Sequence, residues 1–160
     1  PLPNAGQTEP LWQGMGFQVG GVRLVAPLGE VIEVMRVPRI TRVPGVHDWL
    51  LGIANVRGRL IPIADLHALL SMTPTRPVAQ WRVLVVEDGE RVAGLVVEQS
   101  LGMQYFAERT GEQPRRDLLG ELGRYVSRTF RQDGRVYHEA RIKAILRDER
   151  FLNAALAPHN

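Results

Sequence analysis

The sequence predicts an all-β protein with a few short helices, arranged as two small β subdomains that share apolar surface. Three observations predict it. Short apolar and β-branched runs recur along the chain, several of them separated by glycine-containing pairs of the kind that reverse a strand. The turns fall at intervals typical of β-barrels and sandwiches. A plan of several strands closed by one short helix occurs twice, with Pro74 and Pro77 marking the connector between the two halves.

Residues 1–14 are rich in proline and lack periodicity, so they read as a tail pinned by Leu11 and Trp12. From Gly16 the pattern changes. Phe17 and Val19 alternate with Gln18, Gly20-Gly21 supplies a permissive turn, and Val22, Leu24 and Ala26 follow as a second strand. Residues 31–37 form another apolar run, interrupted by Glu33 and Arg36, and Pro38 and Pro44 exclude a helix after it. Residues 50–56 and 60–63 flank Arg57-Gly58, a second hairpin. Asp65 is suited to cap a short helix whose Leu66, Leu69 and Leu70 share a face.

The second half repeats the plan. Residues 81–86 and 91–97 flank a loop containing Asp88-Gly89, residues 102–106 suggest a further strand, and 107–119 read as polar and irregular. Residues 125–130 and 135–138 flank Asp133-Gly134. A helix over 140–146 places Ile142, Ile145 and Leu146 together, and a last one from Asp148 would gather Phe151, Leu152, Ala155 and Leu156. The expected organisation is therefore a tail at 1–14, one domain at 15–147 with subdomains at 15–70 and 80–147, and a C-terminal helix or tail at 148–160.

Composition narrows the function. With 160 residues and 44% hydrophobic side chains, the chain can bury a core of its own. The absence of cysteine excludes disulfides, thiolate zinc sites and a cysteine nucleophile. No apolar run approaches the ~20 residues that span a bilayer, so a soluble, cytoplasmic protein without membrane insertion is expected. The net charge of +3 and pI near 9.9 raise the question of nucleic acid. The basic residues are dispersed among 17 carboxylates, however, as on a solvated face.

No phosphate-binding glycine loop, dinucleotide fingerprint or helical His pair occurs, so no cofactor, metal or catalytic residue is expected. His47, His67, His138 and His159 are scattered and read as surface or half-buried. Ser71, Ser100 and Ser127 lack the context of an activated nucleophile. Trp12, Trp49 and Trp81 each sit in apolar patterns and read as core rather than as base-stacking platforms.

The most informative stretch runs from Gly52 through Ile53, Asn55, Arg57 and Gly58 to Asp65-Leu66. A hairpin with Arg57 in its turn accounts for most of it. Pro62 lacks a ladder donor and points to an edge or a bulge, a place where another protein could dock.

This stretch resembles the signature of the CheW-like adaptor family: an Asn-x-Arg-Gly turn, an apolar strand containing Pro, then Asp-Leu. The resemblance covers most of residues 15–147, including Val31-Ile32-Glu33-Val34, Arg42-Val43-Pro44 and Arg91-Val92-Ala93-Gly94-Leu95-Val96-Val97. It implies two packed five-stranded β-barrels and a non-catalytic adaptor between the cytoplasmic tip of a methyl-accepting chemoreceptor and the CheW-like regulatory domain of a histidine kinase. Within that resemblance Glu33 and Arg57 would form an ion pair near the partner surface. Val31, Val34, Gly52 and Ile53 would lie at or beside it, with Asn55 and Gly58 shaping the turn. Glu98-Gln99-Ser100 and His138-Glu139-Ala140 depart from the family pattern. Together with Gly102-Met103-Gln104-Tyr105-Phe106 and Phe151-Leu152, they resemble the PilI-like adaptors of type IV pilus chemosensory systems. Three alternatives stand beside this reading: the CheW-like module of a phosphorylatable coupling protein, which would require a fused receiver domain; a small nucleic-acid-binding β-barrel; and an enzyme with a pocket in which His47, Asp48 or His67 converge.

Overall fold

Tight turns set the strand boundaries. In three of them both central residues have positive φ: Gly20 and Gly21 at 56° and 79°, Arg57 and Gly58 at 54° and 82°, Asp133 and Gly134 at 51° and 74°. This geometry twists in the same sense as the strands it joins, which is why it dominates two-residue hairpins.

The computed structural model describes residues 9–43 and 47–148. The first half contains β1 (Leu11–Val19), β2 (Val22–Pro27), β3 (Val31–Arg36), β4 (Leu50–Val56), β5 (Arg59–Asp65) and α1 (Leu66–Leu69). The second contains β6 (Arg82–Asp88), β7 (Arg91–Val97), β8 (Gln99–Ala107), β9 (Val126–Gln132), β10 (Arg135–Ala140) and α2 (Ile142–Leu146). As expected, the Asp65 carboxylate caps α1 by accepting from the His67 N–H at 3.0 Å. The strand expected at 102–106 begins earlier, at Gln99, and the segment after it is built of 3-10 turns, the last of which reaches Tyr125. The helix expected from Asp148 lies outside the described residues.

The tail is shorter than expected, because β1 already pairs with β8 at Leu11↔Ala107. Trp12 packs its ring against Phe130 at 5.3 Å, and that anchor draws residues 11–14 into the sheet.

Two five-stranded sheets result, ordered β8-β1-β2-β10-β9 and β3-β6-β7-β5-β4. They share one design. In each, a hairpin (β1–β2 or β6–β7) lies parallel, through its second strand, to the second strand of another hairpin (β9–β10 or β4–β5), and a fifth strand flanks its first. The two halves are thus true repeats of hairpin, strand, hairpin and helix. The expected subdomain boundaries at 15–70 and 80–147 are nevertheless wrong. Each half lends its opening hairpin to the other's sheet: β1–β2 joins β8, β9 and β10, while β6–β7 joins β3, β4 and β5. Local sequence patterns encode a hairpin but carry no record of which distant strand it pairs with, so the exchange was not legible.

The core explains the near-continuous apolar runs. Along β6, Leu84 and Val86 face a large common cluster while Val83 and Val85 face a smaller one inside the second sheet. Along β2, Leu24 and Ala26 face the common cluster, and Val25 joins Phe106, Phe130 and Tyr137 inside the first sheet. These strands are covered on both faces, so the in-out alternation of a one-sided sheet is lost. The two helices add Leu66, Leu69, Ile142, Ile145 and Leu146 to the common cluster. Trp49 is core, and Trp12 and Trp81 pack against the smaller clusters.

Candidate functional site

The Asn55-to-Gly58 turn is assembled locally. The Asn55 side-chain oxygen accepts from the Gly58 N–H at 2.9 Å, holding the turn that carries Arg57 outward. A register shift between Val31 and Glu33 on β3, a bulge against β6, re-aims the Glu33 carboxylate. The two side chains meet fork to fork: Arg57 Nε donates to Glu33 Oε1 at 2.6 Å and an Arg57 Nη to Oε2 at 2.9 Å. The pair joins β3, an outer strand of the second sheet, to the β4–β5 turn and stays accessible, with the Arg57 side chain 79% exposed. The Arg57 hydrogen bond lowers the Glu33 carboxyl and the Glu33 hydrogen bond raises the Arg57 guanidinium, so both are charged at neutral pH.

Around the pair the expected anchors are partly corrected. Val31 and Val34 are half-buried and pack on the common core, leaving Ile32 and Leu60, at 53% and 70% exposure, as the free apolar side chains of this region. A small hollow of about 180 Å³ is bounded by Ile32, Glu33, Arg57 and Arg59, with Val56 and Ile61 among its apolar walls. Ile53 lines a second hollow beside Pro38, Thr41 and Leu60. Gly52 does admit a closely approaching backbone, but that backbone belongs to this chain: an added Cβ would meet Thr41 O at 2.1 Å, and φ is 148°. Two backbone hydrogen bonds between Thr41 and Ile53, at 2.8 and 2.9 Å, hold the approach. Pro62 is not on an edge either, since β5 lies between β4 and β7. Its pairing with β7 begins one residue later, at Ile63, so no ladder donor is required of it.

A second centre is buried, and sequence reasoning missed it. Glu98 sits where the chain crosses from β7 to β8 and is wholly buried. Its Oε1 accepts from the N–H groups of Gly20 and Thr75, both at 2.9 Å, and lies 3.0 Å from His67 Nε2. Its Oε2 accepts from the Thr75 hydroxyl at 2.5 Å, Gln18 at 2.7 Å and the Gly21 N–H at 3.0 Å. Burial pushes this carboxyl up, but the Thr75, Gln18 and Gly21 donors outweigh it and hold the pKa at about 2. His67, read from sequence as surface or half-buried, is 1% exposed. Burial works against its charge, yet Asp65 on Nδ1 and Glu98 on Nε2, each at 3.0 Å, raise its pKa above the ordinary value. Both ring nitrogens therefore face carboxylates, a structural arrangement that leaves neither one open to a substrate. His47 stacks on Trp49 with ring centroids 5.3 Å apart.

Comparison with known proteins agrees with this geometry. The model of the CheW-like domain matches residues 13–150. Protein PilI of Pseudomonas aeruginosa is 42% identical over 134 residues, covering 82% of this chain and 74% of PilI. Protein FrzA of Myxococcus xanthus is 33% identical over 100 residues, 62% of each chain. The crystal structure of the scaffolding protein TtCheW from Thermoanaerobacter tengcongensis superimposes with a TM-score of 0.72 at 21% identity, over 82% of this chain and 89% of that one, a likeness of fold. The chain belongs to the CheW-like domain family, and its similarity to PilI supports the PilI-like branch.

Proposed function

We propose that this chain is a non-catalytic adaptor that couples a methyl-accepting chemoreceptor to the CheW-like regulatory domain of a histidine kinase, on the cytoplasmic side of receptor arrays and in a system that controls type IV pilus twitching motility. The observation that carries the reading is the accessible Glu33–Arg57 fork beside exposed Ile32 and Leu60, in a chain similar to PilI over most of its length. Affinity comes from apolar contact at Ile32, Leu60 and the half-buried Ile53. The fork supplies orientation and partner discrimination, because a fixed bidentate pair presents charge in one geometry only. Asn55 and Gly58 act through the turn, Gly52 through the Thr41 approach, and Val31 and Val34 by seating β3 on the core.

Titration against a cognate kinase's regulatory domain tests this, with Arg57→Ala as the variant. Binding by the wild type, weakened about tenfold or more in a variant with an unchanged circular dichroism melt, is the expected result. Failure of the folded wild type to bind the domain, together with steeply salt-dependent binding to duplex DNA, would replace the adaptor with a nucleic-acid-binding function.

A further inference from the structure

Arg36 on β3 and Arg82 on β6 are register partners. Like charges directly opposite each other weaken a sheet. Among the described residues neither guanidinium has a carboxylate partner, whereas Arg57, Arg128 and Arg147 each meet one at 3.0 Å or less. Arg82 is also held in place: one Nη donates to the Trp81 and Ala79 carbonyls at 2.7 and 3.2 Å, leaving the rest of its fork for a ligand. The Trp81 ring N–H donates to the Arg76 carbonyl at 3.0 Å and so braces the 3-10 turn Val78–Gln80.

Arg82 stands between two hollows. One, of about 610 Å³, has Arg36 at its rim and an apolar wall that includes Val37, Leu51, Val78 and Trp81. The other, of about 350 Å³, is polar and carries Arg76, Gln80, Gln99 and Ser100. Neither is lined by an acidic residue. Val78, 69% exposed, and Val37, 39% exposed, leave apolar surface free directly beside the cations.

We propose that this double hollow binds an acidic segment of a partner protein, with carboxylates on Arg36, Arg82 and Arg76 and an apolar side chain seated against Val37, Leu51 and Val78. Charge complementarity selects the partner's carboxylates. The concave apolar wall selects a peptide over a nucleic acid, since base stacking needs an exposed aromatic face and Trp81 is half-buried with its ring stacked on His67. The inference goes beyond the adaptor reading and does not depend on the Glu33–Arg57 fork.

The test uses the whole chain and a fluorescent peptide of glutamate and leucine, with a glutamine-for-glutamate peptide as control. Fluorescence anisotropy should show binding of the acidic peptide alone, weakened about tenfold or more by Arg36→Glu and unaffected by Arg135→Gln on β10. Because Arg36→Glu replaces a repulsive cross-strand pair with an attractive one, its melting temperature should rise by roughly 1–3 °C while binding is lost. That combination separates a binding role from a folding defect. Equal binding by Arg36→Glu and wild type would overturn the proposal, as would a lowered melting temperature in Arg36→Glu. Tighter capture of duplex DNA or phosphatidylserine vesicles than of the acidic peptide would overturn the choice of partner.

Discussion

The Glu33–Arg57 fork and the Glu98–His67 centre each join a carboxylate to a basic side chain, yet they do opposite things. The fork lies on the surface, has two hydrogen bonds, and lends little to folding because water competes for both partners. The Glu98 carboxylate is sealed from water and meets a donor or ring nitrogen in six contacts drawn from the β1–β2 hairpin, α1 and the 71–80 connector. In a dry site every such bond is strengthened and none can be replaced by water. The comparison teaches that burial, rather than the identity of the charged pair, decides whether it orients a partner or holds a fold together.

Glu98→Gln should break this contrast most severely. It removes the charge that five hydrogen-bond donors and the His67 ring surround, and urea unfolding at pH 7 should show a loss of about 3 kcal/mol. Gly52→Ala comes next: its methyl would collide with Thr41 O in a backbone conformation alien to alanine, for an expected loss of about 2 kcal/mol in the same assay.

The pH profile sharpens the comparison further. Glu98 has a folded pKa near 2 against an ordinary 4.5, so its contribution is complete above pH 4.5 and is lost as pH falls toward 2. His67 is raised above 6.5, so its contribution is complete below that value and fades as pH climbs through the raised pKa. Thermal melts of His67→Gln should lose the alkaline decline and keep the acid one; an unchanged alkaline limb would remove His67 from this role. The smallest effect on folding belongs to Arg57→Ala, whose melting curve should superimpose on the wild type at every pH where the protein is folded.

Legibility followed locality. The turns at Gly20-Gly21, Arg57-Gly58 and Asp133-Gly134, the Asp65 cap and the two short helices are written in neighbouring residues, and all were readable. The Glu33–Arg57 pairing was readable because a family signature ties its two members together. The buried centre was not, since the β1–β2 hairpin with Gln18 and Gly20, α1 with His67, the connector with Thr75, and Glu98 lie far apart in sequence and none of these residues is unusual in its own surroundings. One signal was present: a glutamate directly after the apolar run of β7, with no cation beside it in sequence, is a carboxylate headed for the interior. The identity of the free anchors also escaped: Val31 and Val34 follow from the family resemblance rather than from a local pattern, whereas it is Ile32, at the bulge between Val31 and Glu33, that stands exposed.

The exchange of opening hairpins bears on how the protein is made. During synthesis β1 and β2 leave the ribosome first, but four-fifths of the domain must follow before β10 can lie parallel to β2. The second sheet, whose strands all fall between Val31 and Val97, is complete well before the first. The nascent chain thus carries an unmatched hairpin through most of its translation, with both outer edges bare and open to unwanted strand addition. Glu98 emerges directly ahead of β8, able to clasp Gln18, Gly20 and Gly21 and tether the waiting hairpin before the sheet's three remaining strands arrive.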